Sequence, residues 1–184
     1  MTLRVYILIF FKNFYENLNF GKQMNLIIKL VDSDDFHSLK NFFLENDKPS
    51  ITRYFNPFPL TEESAYRITK KNHKDKYYVA YLDKMIVGFS MLRGWEEGYN
   101  VPSFGILIHH KFTNQGYGKI LTHFTLDQAQ NLNCKKVRLS VLKSNFVAIH
   151  IYRSLGFMEI GHEQLNLDGV HKVKIIMEKE LYSE

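Results

Sequence analysis

Apolar and polar positions alternate in a way that marks out a series of short elements from residue 26 onward. Residues 26–31 (LIIKLV) read as a strand, and Asp32 is placed to cap a helix with Asp34 and Asp35 in its first turn. Phe36, Leu39 and Phe43 recur at helical spacing, so that helix is expected to run to about Asn46. Residues 49–59 read as a loop. Thr61 then caps a second helix with Ala65 and Ile68 facing inward. Residues 77–82 and 85–93 are strands joined by a tight Asp83-Lys84 turn. A loop at 94–102 leads to a strand at 103–109. Residues 116–132 read as a helix with Leu121, Phe124, Ala129 and Leu132 on its core side. A strand at 136–141, a helix at 145–155 stopped by Gly156, and strands at 157–165 and 172–180 around an Asp168-Gly169 turn complete the chain. The order β α α β β β α β α β β predicts one mixed-sheet α/β domain over 24–184.

Residues 1–23 do not fit this pattern. Residues 5–11 (VYILIFF) are apolar but far short of the roughly 20 residues that span a membrane. Lys12 follows at once and no small-x-small cleavage site appears, so a signal peptide is a poor match. The segment reads as an N-terminal extension, with an extra helix or strand packed on the domain as the alternative. No membrane association is expected, and the expected location is the cytoplasm.

Charge and cysteine content narrow the chemistry. The chain of 184 residues carries a net charge of +5. Arg4, Lys12 and Lys22 against Glu16 lie in the first 23 residues, which leaves +3 for the remainder. That permits an anionic ligand without calling for a nucleic acid, and no basic cluster interleaved with aromatics appears. The single cysteine, Cys134, excludes an internal disulfide framework. It sits in a turn with no histidine partner in view, so it is a poor nucleophile. The eight histidines show no metal-ligand spacing, and no metal is expected.

Two segments carry candidate chemistry. In SFGILIHHKFTNQGYGKILTHF a strand runs into a loop, and Gly116 and Gly118 open a helix. Exposed amides and a positive helix end at such a junction can cradle a phosphate, with Lys111 and Lys119 nearby. The competing reading is a simple turn. In VRLSVLKSNFVAIHIYRSLGF, Asn145 and Tyr152 lie two helical turns apart on one face. They would flank one crevice as an orienting amide and a proton-donating phenol. The competing reading makes Asn145 a helix cap and Tyr152 a packed core ring.

Together the two segments resemble the GNAT superfamily of N-acetyltransferases. The family's pyrophosphate loop, Arg/Gln-x-x-Gly-x-Gly/Ala, is matched by Thr113, Asn114, Gln115, Gly116, Tyr117 and Gly118. The motif Asn-x-x-Ala-x-x-x-Tyr-x-x-x-Gly-Phe is matched at Asn145, Ala148, Tyr152, Gly156 and Phe157. The likeness covers about residues 26–180.

It implies a single mixed, mostly antiparallel, six- to seven-stranded twisted sheet flanked by helices. It also implies acetyl-CoA as cofactor and direct transfer of acetyl to a primary amine. Ile106, Leu107 and Ile108 would pair with pantetheine along the strand, and the 136–141 strand would splay away to admit it. Residues 113–119, Lys119 among them, and Asn145 would complete the cofactor site. Tyr152 would protonate the leaving thiol.

Thr113 departs from the family's Arg or Gln. Loss of that contact would cost about 1.5–3 kcal/mol unless Gln115, Lys111 or Lys119 replaces it.

The family's usual strand glutamate is also missing. Glu97 and Glu96 are the nearest acids, His109 and His110 are alternatives pointing to opposite faces of an extended strand, and a water chain is a third route. The acceptor is expected between residues 49–60 and 93–102, with Tyr54, Phe55, Trp95 and Tyr99 as its aromatic contacts. Aromatics beside Arg53, Arg93, Glu96 and Glu97 suit a small amine on an anionic or sugar body, such as an amino sugar or sugar nucleotide. A protein N-terminus, a polyamine and a non-catalytic acyl-CoA-binding module are the alternatives. Pairing through the last strands into a homodimer is a further expectation that the resemblance carries.

Overall fold

Strand-forming runs with apolar residues on both faces call for cover on both sides of a sheet. The computed structural model describes residues 26–70, 73–167 and 170–181 and shows that arrangement. The strands are β1 (Leu26–Leu30), β2 (Lys76–Leu82), β3 (Met85–Arg93), β4 (Ser103–Ile108), β5 (Lys136–Leu142), β6 (Met158–Leu167) and β7 (Val170–Glu180). The helices are α1 (Phe36–Asn46), α2 (Pro49–Thr52), α3 (Glu62–Lys70), α4 (Tyr117–Asn131) and α5 (Phe146–Ser154). The sheet order is β1-β2-β3-β4-β5-β7-β6. Every neighbouring pair is antiparallel except β4 and β5, which run parallel.

β3 lies inside the sheet and is buried on both faces. Phe89 and Met91 join Leu39 and Phe43 of α1 and Ala65 and Ile68 of α3 in one core cluster. Leu92 joins Leu121 and Phe124 of α4 and Tyr152 of α5 in the other. The helices therefore clamp the sheet from opposite sides, and β4 and β5 lie under α4 and α5.

The local signals produce the expected elements. Thr61 Oγ1 accepts the Ser64 N–H at 3.2 Å and starts α3. Asp83 takes a left-handed conformation in the β2–β3 turn (φ 54°). Asp32 accepts the Asp34 N–H at 2.9 Å, while Asp35 accepts the Asp32 N–H at 2.9 Å. This reciprocal box builds a short 3-10 turn ahead of α1.

Four details differ from the expectations. Residues 49–59 contain the one-turn helix α2, because Pro49 at its first position is already set for helical φ. The strand expected over 103–109 ends at Ile108, and residues His110–Phe112 form a 3-10 turn capped by the His109 ring. Leu132 is 42% exposed rather than in the core, because it caps α4 just past the last helical residue. The final strands begin at Met158 and Val170 and are longer than expected. The extension at 1–23 and the Asp168-Gly169 turn lie outside the described residues. Among the described residues no helix is long and apolar enough to cross a membrane.

Candidate active site

β4 and β5 share a single register pair, Ser103 with Arg138. The Arg138 N–H donates to the Pro102 carbonyl at 3.0 Å, and past that point the two strands part. They form a wedge with its apex at residues 102–104 and its mouth at their carboxyl ends. The segment after β4 leads to the N-terminus of α4, and the segment after β5 leads to the N-terminus of α5. An opening at the carboxyl ends of parallel strands, between two positive helix ends, suits an extended ligand that carries anionic groups.

The glycine loop forms one side of the mouth. Gly116 caps α4 with φ 85° and no side-chain hydrogen bond, so the first amides of the helix face outward. A Cβ on Gly116 would meet no atom within 4 Å, and one on Gly118 would meet only Ile108 Cγ1 at 3.7 Å. Asn114 is left-handed as well (φ 60°). Residues 113–116 and Lys119 are exposed. The loop's side chains turn back on its own backbone. Thr113 Oγ1 donates to the His110 carbonyl at 3.4 Å, and Gln115 Nε2 donates to the Lys111 carbonyl at 3.3 Å. Lys111 Nζ is held by Glu45 at 3.3 Å. Of the groups expected to compensate for Thr113, Lys119 alone is outside these contacts.

Asn145 caps α5, its Oδ1 accepting the Ala148 N–H at 3.3 Å. The Tyr152 ring packs edge-on against Phe104 at 6.1 Å and tilted against Phe157 at 5.6 Å. These contacts put Tyr152 at the apex of the wedge. Burial raises its phenol well above the usual range, so it stays protonated. No described residue hydrogen-bonds its hydroxyl. Both residues thus have a local packing role, and the Tyr152 proton is uncommitted. Ile106 and Ile108 lie on the α4 side of β4, half-buried, and Leu107 is buried on the other face.

His109 and His110 do not point to opposite faces. The chain turns after Ile108, and the two rings stack at 4.6 Å. His109 Nδ1 accepts the Lys111 N–H at 3.2 Å, which leaves Nε2 to donate to Glu45 at 3.1 Å. His110 Nε2 lies 3.0 Å from Lys48 Nζ, an obligate donor. Its Nδ1 lies 3.4 Å from Asn46 Oδ1. Burial, and then the charge of Lys48, holds the His110 ring below the usual histidine range. Every nitrogen of the two rings is engaged. Neither has a free nitrogen with which to act as a base.

The 94–102 loop is built on a residue that sequence reasoning missed. Asp75 is buried, and its Oδ1 accepts the N–H groups of Gly94 and Trp95 at 3.0 Å and of Glu96 at 3.4 Å. An isolated Asp before a strand gives no sign of partners some 20 positions away. Arg93 joins the 49–60 and 93–102 segments. It donates to the Pro57 carbonyl at 3.2 Å and to Glu97 Oε1 at 3.1 Å, and it lies 5.6 Å over the Phe58 ring. Glu96 Oε1 is 2.9 Å from His73 Nδ1. Tyr54 and Tyr99 are exposed, Trp95 is half-buried, and Arg53 stacks on Tyr54 at 4.6 Å. Phe55 instead is buried, edge-on to Phe58 and Phe89, so it supports the loop from beneath and offers no ring to a ligand. Cys134 is buried, and burial raises its thiol.

Known proteins are similar to this chain in sequence and in fold. The model of the Acetyltransferase (GNAT) family matches residues 39–157, which include the glycine loop and α5. The spermidine N(1)-acetyltransferase of Vibrio cholerae serotype O1 is 25% identical over 151 residues, covering 78% of this chain and 86% of that protein. The structure of spermidine N-acetyltransferase from Vibrio cholerae with CoA and spermine superposes with a TM-score of 0.70 at 22% identity, over 85% of this chain and 95% of that one. The ribosomal-protein-S5-alanine acetyltransferase from Vibrio fischeri superposes with a TM-score of 0.70 at 18% identity, over 84% and 92%. With the family model matched across the wedge and both helices that flank it, the chain belongs to the GNAT acetyltransferase family.

Proposed function

We propose that this acetyltransferase moves acetyl from acetyl-CoA directly to a primary amine of a small molecule, with an amino sugar or sugar nucleotide as the acceptor class. The β4–β5 wedge carries the reading. It is pinned at Pro102–Arg138 and opens between the N-termini of α4 and α5. The outward amides at Gly116 and the open space around Gly116 and Gly118 fit a pyrophosphate. When bound, acetyl-CoA supplies the acetyl group as an activated thioester.

The residues divide the work. The amides of Gly116, Tyr117, Gly118 and Lys119 hold the phosphates. Thr113, Asn114 and Gln115 shape that loop, and Asn145 sets the start of α5 opposite. The β4 backbone at Ile106–Ile108 pairs with the pantetheine arm, and an N–H there polarises the reacting carbonyl. Tyr152 holds a proton at Oη for the departing sulfur. The amine enters from the 94–102 loop, which meets β4 at the apex. Glu97 takes the amine's proton through the oxygen that Arg93 does not hold, with Glu96 as the alternative. Tyr54, Trp95 and Tyr99 face the acceptor.

The acceptor class rests on charge. Asp75 is engaged by three loop amides and Arg93, Glu97 by Arg93 and Glu96 by the His73 ring, while Arg53 stacks on Tyr54. That setting favours an amine on a neutral or anionic body over a polycation. A polyamine acceptor is the second reading, supported by the 25% identity to the Vibrio cholerae enzyme.

An amine panel read by free CoA thiol separates the readings. Amino sugars and their nucleotides should give the fastest release. Release with spermidine alone would move the acceptor to polyamines, and release with alanine-ended peptides alone would move it to a protein N-terminus. CoA binding with no thiol from any amine would leave a non-catalytic acyl-CoA-binding module.

A further inference from the structure

Asn46, the last residue of α1, is fully buried at 0% exposure. Its Nδ2 donates to the Phe42 carbonyl at 2.7 Å, and its Oδ1 accepts the His110 N–H at 2.9 Å. Those partners fix the amide's orientation, since the flipped form would oppose two acceptors on one side and two donors on the other. Only a side chain with a donor and an acceptor meets both. His110 is the first residue of the turn that leads into the glycine loop. Its carbonyl accepts from Thr113, and the Lys111 carbonyl accepts from Gln115. Glu45 and Lys48 flank Asn46 and hold His109, Lys111 and His110. The end of α1 thus grips three consecutive residues, 109–111, immediately before the loop. Lys48 also begins the segment that runs through α2 to the acceptor side.

We infer that Asn46 is a positioning residue for the acetyl-CoA loop, setting the direction in which the loop amides face by fixing the His110 N–H. This rests on the reading that CoA phosphates bind at Gly116 and Gly118. It places a determinant of cofactor affinity some 70 positions upstream, on a helix that belongs to the other face of the sheet.

The test compares Asn46→Ala with Asn46→Asp. The aspartate keeps an acceptor for the His110 N–H while giving up the donor to the Phe42 carbonyl, and the alanine gives up both. For folded Asn46→Ala, the KM for acetyl-CoA and the Kd for CoA should rise about tenfold, the factor for about 1.4 kcal/mol. Its kcat at saturating acetyl-CoA should stay within about twofold, and Asn46→Asp should recover most of the affinity. A folded alanine variant with unchanged Kd, or a folded aspartate variant no better than a folded alanine variant, overturns the inference. Should the alanine variant fail to fold, hydrogen exchange on the unmutated protein decides. Saturating CoA should slow exchange at the His110 amide as well as at Gly116 and Gly118, and slowing confined to the glycines overturns the inference. Failure of the underlying site reading looks different: the unmutated protein binds no CoA, and its glycine amides exchange equally fast with and without it.

Discussion

The Arg138 N–H donates to the Pro102 carbonyl at 3.0 Å, and this bond pins the parallel strands β4 and β5 at one end only. Beyond the Ser103–Arg138 pair no further register pair joins β4 and β5, which leaves their facing edges open to an extended ligand. The same bond fixes the start of β4 beside the 94–102 loop, where the amine would arrive.

Tyr152→Phe should separate packing from chemistry. The ring contacts with Phe104 and Phe157 remain, and the lost hydroxyl bonds no described residue. Stability should change by less than about 0.5 kcal/mol. Turnover should fall by about 100-fold or more, with CoA affinity unchanged. Thermal melts and steady-state kinetics check this, and near-normal turnover removes Tyr152 as the proton donor.

Asp75→Ala removes the acceptor of three amides and the carboxylate 3.6 Å from Arg93 Nε. The expected loss of stability is about 3 kcal/mol. Because Asp75 holds the 94–102 loop, where the amine is proposed to enter, and not the glycine loop, the KM for the amine should rise more than that for acetyl-CoA. Asp75→Asn keeps one acceptor oxygen and should lie between the two. Denaturant titration with paired kinetics measures both effects.

Glu97→Gln should lower kcat by about 100-fold in steady-state kinetics. Glu96→Gln, whose carboxylate is bound to His73, should lose less. Activity unchanged at every pH in both variants assigns the proton to water.

Glu178 supplies the pH dependence of the wedge apex. Burial alone would raise its carboxyl. Lys136 at 2.8 Å and Arg138 at 2.9 and 3.1 Å outweigh that and hold it below its ordinary 4.5. The folded chain then binds fewer protons than the unfolded chain. The stabilisation is present above pH 4.5 and is lost as pH falls through the lowered folded value. Glu178→Gln should be less stable at neutral pH and flatter below 4.5 in urea titrations.

Local signals were legible because they act within a few residues. Gly116 and Gly156 mark element ends through backbone conformation and Asn145 through its capping side chain, and the structure bears out each mark. What was not legible depends on partners far along the chain. Asp75 draws its meaning from amides at 94–96, Asn46 from His110, and Phe55 from Phe89 across the sheet. The expected opposite facing of His109 and His110 assumed that an extended strand continued past Ile108. The chain turns there, with His109 capping the turn and Asn46 bonding the His110 N–H. The insertion of β7 between β5 and β6 is likewise a tertiary choice that periodicity does not encode.

Titration of CoA into the unmutated chain and into Gly118→Val tests the central claim most directly. Gly118 does not have a positive φ, and a Cβ there clears Ile108 at 3.7 Å, so the variant should fold. Its methyl groups would fill the space in front of the loop amides. The unmutated chain should bind one CoA, and Gly118→Val should bind at least about tenfold more weakly. No binding by the unmutated chain, or equal binding by a folded Gly118→Val, would contradict the assignment of the wedge as the acetyl-CoA site.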